Sequence, residues 1–244
     1  MEHWELLCSG GYGFFWDSRL FRPSTDTFLL SSLPKLRPGL RVCDLGSGTG
    51  LLSVLLLQQE PDLIVTGVEL QEDAVRLAER SAVKNGLEDR LSFRQGDLRK
   101  IREIFPAAGF DLVVCNPPYY PPDSGKTAAE EAVRSARSET ACTLKEICSA
   151  AAYLLPWGGR FCLIHKPERM ADLFCALRAA ALEPKRLRAV CRDPCAPPSL
   201  VMLEARRGGR PGLTMEAPFF LRTAAGTPAA ELDAVYFRTR EDKP

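Results

Sequence analysis

The stretch Arg41-Val42-Cys43-Asp44-Leu45-Gly46-Ser47-Gly48-Thr49-Gly50-Leu51 decides the fold. A short apolar run, then glycine at every second position, then a leucine-rich stretch reads as a buried strand, a sharp turn and a helix. Glycine lets the backbone turn tightly and approach a ligand closely. Free amides at the start of the next helix can bind a carboxylate or phosphate. The spacing is G-x-G-x-G, with Leu51 where a dinucleotide fingerprint would carry its third glycine. No Lys-Ser/Thr pair follows, which excludes a P-loop.

Outward from this turn, apolar β-type runs alternate with helical patterns. Strands are expected at 41–45, 64–70, 91–95, 110–115 and 159–166, with two more at 186–191 and 200–205. Helices are expected at 51–59, 73–85, 144–155 and 168–181. The first five strands are rich in Val, Ile, Leu and Phe, as strands covered on both faces are. The alternation predicts an α/β fold with a doubly wound, mostly parallel, seven-stranded sheet. Only residues 192–199 separate the last two strands, too few for a crossover, so they should form an antiparallel hairpin. Residues 1–40 read as an N-terminal extension of one or two helices packed against the ligand side. Residues 41–244 read as the catalytic domain, in a chain with a single domain overall. Residues 121–140 carry Pro, Ser, Gly and many charges and read as a long loop, mobile without ligand.

The chain has 244 residues, 45% hydrophobic and 26% charged, enough for a sizeable core. A net charge of +1 excludes a global field for a polyanion, so a nucleic-acid site must be a local basic patch. No run of 18 apolar residues suggests a membrane span, and Met1 to Phe15 lacks the basic start of a signal peptide. The nine cysteines are scattered, several inside apolar runs, as expected for reduced thiols in a cytoplasmic protein. Cys191 and Cys195 have only His3 and His165 to complete a metal site, so no metal is expected. A monomer is the expected state.

Two acids continue the reading of the glycine turn. Glu69 ends the second expected strand, where a carboxylate can accept both hydroxyls of a ribose. Asp97 follows the third strand and suits a hydrogen bond from an exocyclic amine. With Asp44 and the glycine turn, they outline a pocket for a nucleoside ligand without a pyrophosphate.

The fourth strand runs into Asn116-Pro117-Pro118-Tyr119. Two prolines stop the strand and stiffen the backbone. The Asn116 amide oxygen and the Pro117 carbonyl are two fixed acceptors, which suit an NH2 group with two hydrogens. Tyr119 offers a flat face for a planar acceptor to stack on. An adenine N6 or a carboxamide nitrogen is a poor nucleophile because its lone pair is delocalised. Drawing both hydrogens to fixed acceptors biases that nitrogen towards sp3.

These two motifs resemble class I S-adenosylmethionine-dependent methyltransferases, Rossmann-like enzymes, across residues 41–166. The resemblance implies S-adenosylmethionine as cofactor and S-adenosylhomocysteine as product. It implies Asp44, Gly46, Ser47, Gly48, Gly50, Glu69, Leu70, Asp97, Leu98 and Asn116 as cofactor-binding, and Asn116, Pro117 and Tyr119 as catalytic. Asn-Pro-Pro-Tyr resembles the signature of amino-methyltransferases acting on adenine N6 or glutamine Nδ. Beyond it, Asp26-Thr27-Phe28-Leu29-Leu30, Arg134-Ser135-Ala136-Arg137-Ser138-Glu139 and Pro184-Lys185-Arg186-Leu187-Arg188 are similar to the bacterial tRNA1(Val) adenine-37 N6-methyltransferase family. That family's usual F-S-x-D is Pro23-Ser24-Thr25-Asp26 here. The resemblance implies a tRNA partner, with Pro118, Tyr119, Arg134 and Arg137 against the substrate. A protein (release-factor) glutamine-N5 methyltransferase is the alternative, although only 43 residues precede Asp44. Lys185 to Arg210 holds seven basic residues against Asp193 and Glu204, a stretch that could meet phosphates.

Overall fold

The computed structural model describes residues 1–20, 22–119 and 142–238. The expected loop at 121–140, with Arg134 and Arg137, lies outside the described residues.

The chain opens with a hairpin, β1 (Glu2–Leu6) and β2 (Gly13–Asp17), followed by α1 (Thr25–Ser31). The alternating units are β3 (Arg41–Leu45), α2 (Leu51–Gln59), β4 (Ile64–Glu69), α3 (Glu72–Asn85) and β5 (Leu91–Gln95). A short α4 (Ile101–Ile104) leads to β6 (Leu112–Cys115). Then come α5 (Leu144–Leu154), β7 (Arg160–His165), α6 (Met170–Ala179), β8 (Leu182–Cys191) and β9 (Pro198–Arg207). Two short strands, β10 (Thr214–Met215) and β11 (Phe219–Phe220), and α7 (Ala230–Val235) complete the described elements.

The main sheet has the order β10-β8-β9-β7-β6-β3-β4-β5. Strands β5, β4, β3, β6 and β7 are parallel, and β9 is antiparallel between β7 and β8. This is the doubly wound sheet with a C-terminal antiparallel hairpin, but with nine strands rather than seven. The two extra strands pair in parallel with β8, which would otherwise present an unpaired edge.

Side-chain alternation along the strands assigns residues to the two faces of the sheet. Val42, Leu112, Val114, Cys162 and Ile164 join one core with α1, α2 and α3. Cys43, Leu45, Val113, Cys115, Phe161 and Leu163 join the other with α5 and α6. Helix α2 is buried from Leu51 through Leu57, because α1 covers the side turned away from the sheet. Helix α3 is amphipathic and ends at Gly86, whose φ of +68° makes a left-handed cap that glycine adopts without a Cβ penalty.

The N-terminal extension departs from expectation, with a β-hairpin and one helix in place of one or two helices. Trp4, Phe14, Phe15 and Trp16 are strand-forming aromatics. The hairpin docks on α3 through side chains that satisfy its backbone. Asn85 Oδ1 accepts from Gly13 N–H at 2.9 Å, and Ser81 Oγ accepts from Phe15 N–H at 2.8 Å. Lys84 lies over the Trp4 ring at 3.9 Å and Arg80 over Phe15 at 4.4 Å. No described helix is long and apolar enough to cross a membrane.

Candidate active site

Strand order reverses between β3 and β6, since the chain leaves β3 for β4 and β5 and returns on the other side. Ligands of open α/β sheets bind at the carboxyl ends of strands at such a switch point. The parallel register pairs Asp44 with Val114, so the turn at Gly46 and the motif at Asn116 leave the sheet at one level.

Gly46, Gly48 and Gly50 have φ values of +72°, +53° and +83°. The Gly46 and Ser47 amides donate to the Val68 carbonyl at 2.9 and 3.1 Å. Glu69 braces the turn, with Oε2 accepting from Gly48 N–H and Oε1 from Gln71 N–H, both at 2.9 Å. A Cβ at Gly46 would meet nothing within 4 Å, whereas one at Gly50 would come within 2.7 Å of the Phe93 ring. Gly46 therefore faces open space and Gly50 packs the helix onto the sheet. Ser47 Oγ and Thr49 Oγ1 are buried with no hydrogen-bond partner among the described residues. Orphaned hydroxyls in a glycine turn fit a site that a polar ligand completes.

Asp44 is 2% exposed, and its Oδ2 accepts from Ser53 Oγ at 2.8 Å. Burial pushes its carboxyl up to about 7, and the neighbouring Glu69 adds to that rise while Ser53 opposes it. Asp97 is held differently. Both its oxygens accept from Arg99 Nε, at 2.9 and 2.8 Å, and Oδ1 also accepts from Arg99 N–H at 2.9 Å. The Arg99 guanidinium holds the Asp97 carboxyl below its ordinary value. Leu98 packs partly buried against the second core, and Leu70 is exposed beside Glu69.

On the other side of the switch point, Asn116 follows β6. Its Nδ2 donates to Thr27 Oγ1 of α1 at 3.0 Å. The Tyr119 hydroxyl donates to Asp26 Oδ2 and stands 3.4 Å from Asn116 Oδ1. Pro117 is buried and Pro118 exposed. His165, at the end of β7, meets the Tyr119 ring edge-on with centroids 5.4 Å apart. Its Nδ1 accepts from Lys166 N–H at 2.9 Å, and its buried Nε2 has no partner among the described residues. Lys166 Nζ lies 5.2 Å from the centre of the Tyr119 ring.

The sequence-predicted residues Asp44, Gly46, Ser47, Gly48, Gly50, Glu69 and Asp97 thus come to the same carboxyl-end edge of the sheet as Asn116, Pro117 and Tyr119. Reading the sequence did not single out Thr49, Ser53 or Arg99, weighed His165 only as a metal ligand, and gave Asp26 and Thr27 no role. The Asp-x-Arg spacing of Asp97 and Arg99 was visible along the chain. The partners of Asp44 and Asn116 were not.

The basic stretch from Lys185 to Arg210 does not form one surface. Strand β8 runs the height of the sheet, so Lys185 near its start and Arg192 just past its end lie at opposite ends. Arg206 and Arg207 pair with the starts of β7 and β8, away from the glycine turn. Arg186 is bound to Glu204 and Glu216, Arg188 to Glu231, and Arg192 to Asp193. Much of this charge is spent within the chain.

A family of methyltransferase domains matches residues 36–190. A tRNA1(Val) (adenine(37)-N6)-methyltransferase of Dickeya chrysanthemi is 30% identical over 215 residues, covering 85% of this chain and 83% of its own length. The protein of the same name from Porphyromonas gingivalis is 30% identical over 165 residues, or 67% of this chain, and the chain spans only 64% of that relative's length. A ribosomal protein uL3 glutamine methyltransferase of Bordetella pertussis is 42% identical over 79 residues, covering 32% of this chain and 26% of its own. Among solved structures, a predicted O-methyltransferase from Agrobacterium tumefaciens superposes with a TM-score of 0.71 over 87% of this chain and 95% of its own, at 19% identity, a likeness of fold. The chain belongs to the methyltransferase domain family, with the Rossmann-like class I fold and S-adenosylmethionine as its cofactor.

Proposed function

We propose that this protein is an N-methyltransferase acting on a planar amino group, and that the group is adenine N6 of a tRNA, at position 37 of a valine tRNA by similarity to its relatives. The observation that carries the reading is Asn116, turned with Nδ2 on Thr27 and Oδ1 beside Tyr119. Its Oδ1 and the Pro117 carbonyl are then available as acceptors for the two hydrogens of an NH2 group, while Tyr119 offers a stacking face.

The cofactor side comprises Asp44, the turn from Gly46 to Gly50, Glu69, Leu70, Asp97 and Leu98. Glu69, already holding the turn, has further lone pairs for ribose hydroxyls, and Asp97 has them for an exocyclic amine. The cofactor supplies an electrophilic methyl on a sulfonium. The chain would supply position and fixed dipoles: two acceptors would hold the amine and localise its lone pair in line with the methyl group the cofactor would offer. The product cation then releases its proton through the same acceptors to solvent, so no strong base is required. No described group of three or more His, Cys, Asp or Glu could hold a metal ion.

Residues 41–244 with the N-terminal extension would act as one domain, with Arg134 and Arg137 contributing to tRNA contact. The local 42% match to a glutamine methyltransferase favours a second reading, a carboxamide nitrogen in the same pocket. Incubation with methyl-labelled S-adenosylmethionine, unmodified total tRNA and, separately, protein extract decides between them. Label in N6-methyladenosine is the expected result. Label in methylglutamine would replace the tRNA reading with the second.

A further inference from the structure

The side-chain amide of Asn116 is nearly symmetric in shape, but its two ends have opposite hydrogen-bonding character. Turned one way it offers an acceptor to an incoming NH2 group. Turned the other way it sets donor against donor. Within Asn-Pro-Pro-Tyr the Tyr119 hydroxyl reaches Oδ1 at 3.4 Å, but it is engaged by Asp26 of α1. The decision falls to α1, 89 residues away in sequence.

We propose that Asp26 and Thr27 are positioning residues that set the acceptor state of Asn116; the inference rests on the amino-group reading above. Thr27 is 3% exposed; with its own hydrogen directed to Ser24 Oγ, 3.4 Å away, its Oγ1 accepts from Asn116 Nδ2 at 3.0 Å and sets Oδ1 on the opposite side. Asp26 acts through Tyr119. The phenol has one hydrogen and, among the described residues, reaches the acceptors Asp26 Oδ2 and Asn116 Oδ1, the second at 3.4 Å. The closer Asp26 carboxylate takes it, which leaves the Oδ1 lone pairs for the substrate amine. Without Asp26 the hydroxyl would turn to Oδ1 and occupy the atom that must receive the amine.

Helix α1 is itself held in place. Tyr236 OH and Thr25 Oγ1 are 2.9 Å apart, and the Tyr236 ring stacks on Phe28 with centroids at 4.3 Å and planes 17° apart. Leu29 and Leu30 are fully buried. Adjacent residues on a fixed helix can therefore register two groups of the motif at once.

The test compares Thr27→Val, which removes the oxygen and keeps the shape, with Thr27→Ser, which restores it. In methyl transfer to unmodified total tRNA, Thr27→Val should lower kcat about 10- to 100-fold, the scale of a misplaced reacting group. KM for tRNA and the calorimetric Kd of S-adenosylmethionine should stay within about twofold. Thr27→Ser should recover most of the loss. Asp26→Ala should also lower kcat, and Asp26→Asn, which keeps an acceptor for the Tyr119 hydroxyl, should lower it less. A second readout needs no turnover: the Asn116 side-chain amide signals in the 15N–1H NMR spectrum, assigned by their loss in Asn116→Asp. One hydrogen should be shifted downfield and protected from exchange in the parent and in Thr27→Ser, and not in Thr27→Val. Unchanged amide signals in Thr27→Val, or equal kcat losses in Thr27→Val and Thr27→Ser, would overturn the assignment. A parent protein that forms no N6-methyladenosine overturns the tRNA reading instead, and the NMR comparison then still decides the positioning.

Discussion

Ser53 Oγ donates to Asp44 Oδ2 across 2.8 Å, and both residues are buried beneath the glycine turn. The carboxyl nonetheless rises to about 7 from its ordinary 3.8, because burial outweighs a single hydroxyl donor. Between these values the folded state holds a proton that the unfolded state has released. Asp44 therefore favours folding at acid pH, and this contribution is lost as pH rises through about 7. Asp44→Asn should flatten that part of the stability profile, seen as urea midpoints that change less between pH 5 and pH 8 than in the parent. A positively charged cofactor favours the ionised carboxylate, so S-adenosylmethionine affinity should rise with pH through the same range in the parent only. Calorimetry in buffers of different ionisation enthalpy would register the accompanying proton release.

His165 tilts the profile the other way. Burial lowers its pKa to about 4 from 6.5, so as pH falls the unfolded state takes a proton that the folded state refuses. Stability should decline from about pH 6.5 towards pH 4 for this reason. His165→Gln should remove that share of the decline, measured as the difference in denaturant midpoint between parent and variant at each pH.

The two ends of the glycine turn should fail differently. Gly50→Ala meets Phe93 at 2.7 Å with φ at +83°, and left-handed strain plus overpacking should cost about 2–4 kcal/mol of stability. Gly46→Ala meets nothing within 4 Å, so only the backbone cost of about 1–2 kcal/mol applies. Its methyl enters the space assigned to the cofactor, so its main effect should be weaker binding. Thermal melts and cofactor titrations on both variants separate the two outcomes.

Asn116→Ala should leave cofactor Kd within about twofold of the parent and reduce transfer about 100-fold or more, since it removes a fixed acceptor at the reacting nitrogen. Single-turnover transfer beside calorimetry checks this. Near-parental transfer would remove Asn116 from the acceptor site.

Contact with tRNA should be concentrated near Arg134 and Arg137 rather than on the far end of the hairpin. Replacing both with Ala should weaken tRNA binding and reduce its log–log salt slope by roughly 1–2. Arg206→Ala should change affinity less than twofold, because its guanidinium donates to the Gly158 carbonyl at the start of β7. Fluorescence titrations at several salt concentrations would compare the two surfaces.

Contiguous features were legible before any fold was known. The glycine turn, the strand-ending acids Glu69 and Asp97, and Asn-Pro-Pro-Tyr each lie within a few residues, so their chemistry is written along the chain. Strand–helix alternation from Arg41 onward likewise predicted the parallel sheet and its antiparallel hairpin, because buried strands and amphipathic helices leave distinct periods. The N-terminal hairpin was missed because its ten strand residues mix aromatics with charge, and its backbone partners, Ser81 and Asn85, come from a distant helix. The basic stretch misled for the converse reason. Neighbours along Lys185 to Arg210 are carried to opposite ends of the sheet by two ten-residue strands, and their counter-charges, Glu216 and Glu231, arrive from later segments.

By itself, then, the sequence determined the class of fold and the residues gathered at the strand ends on which the proposed amine site rests. Which way the Asn116 amide faces, what holds Asp44 at the edge of ionisation, and which arginines keep a free charge were decided only by the tertiary structure. Those properties depend on hydrogen bonds and burial between residues far apart in the chain, and a side chain's orientation and protonation are set by what folding brings against it.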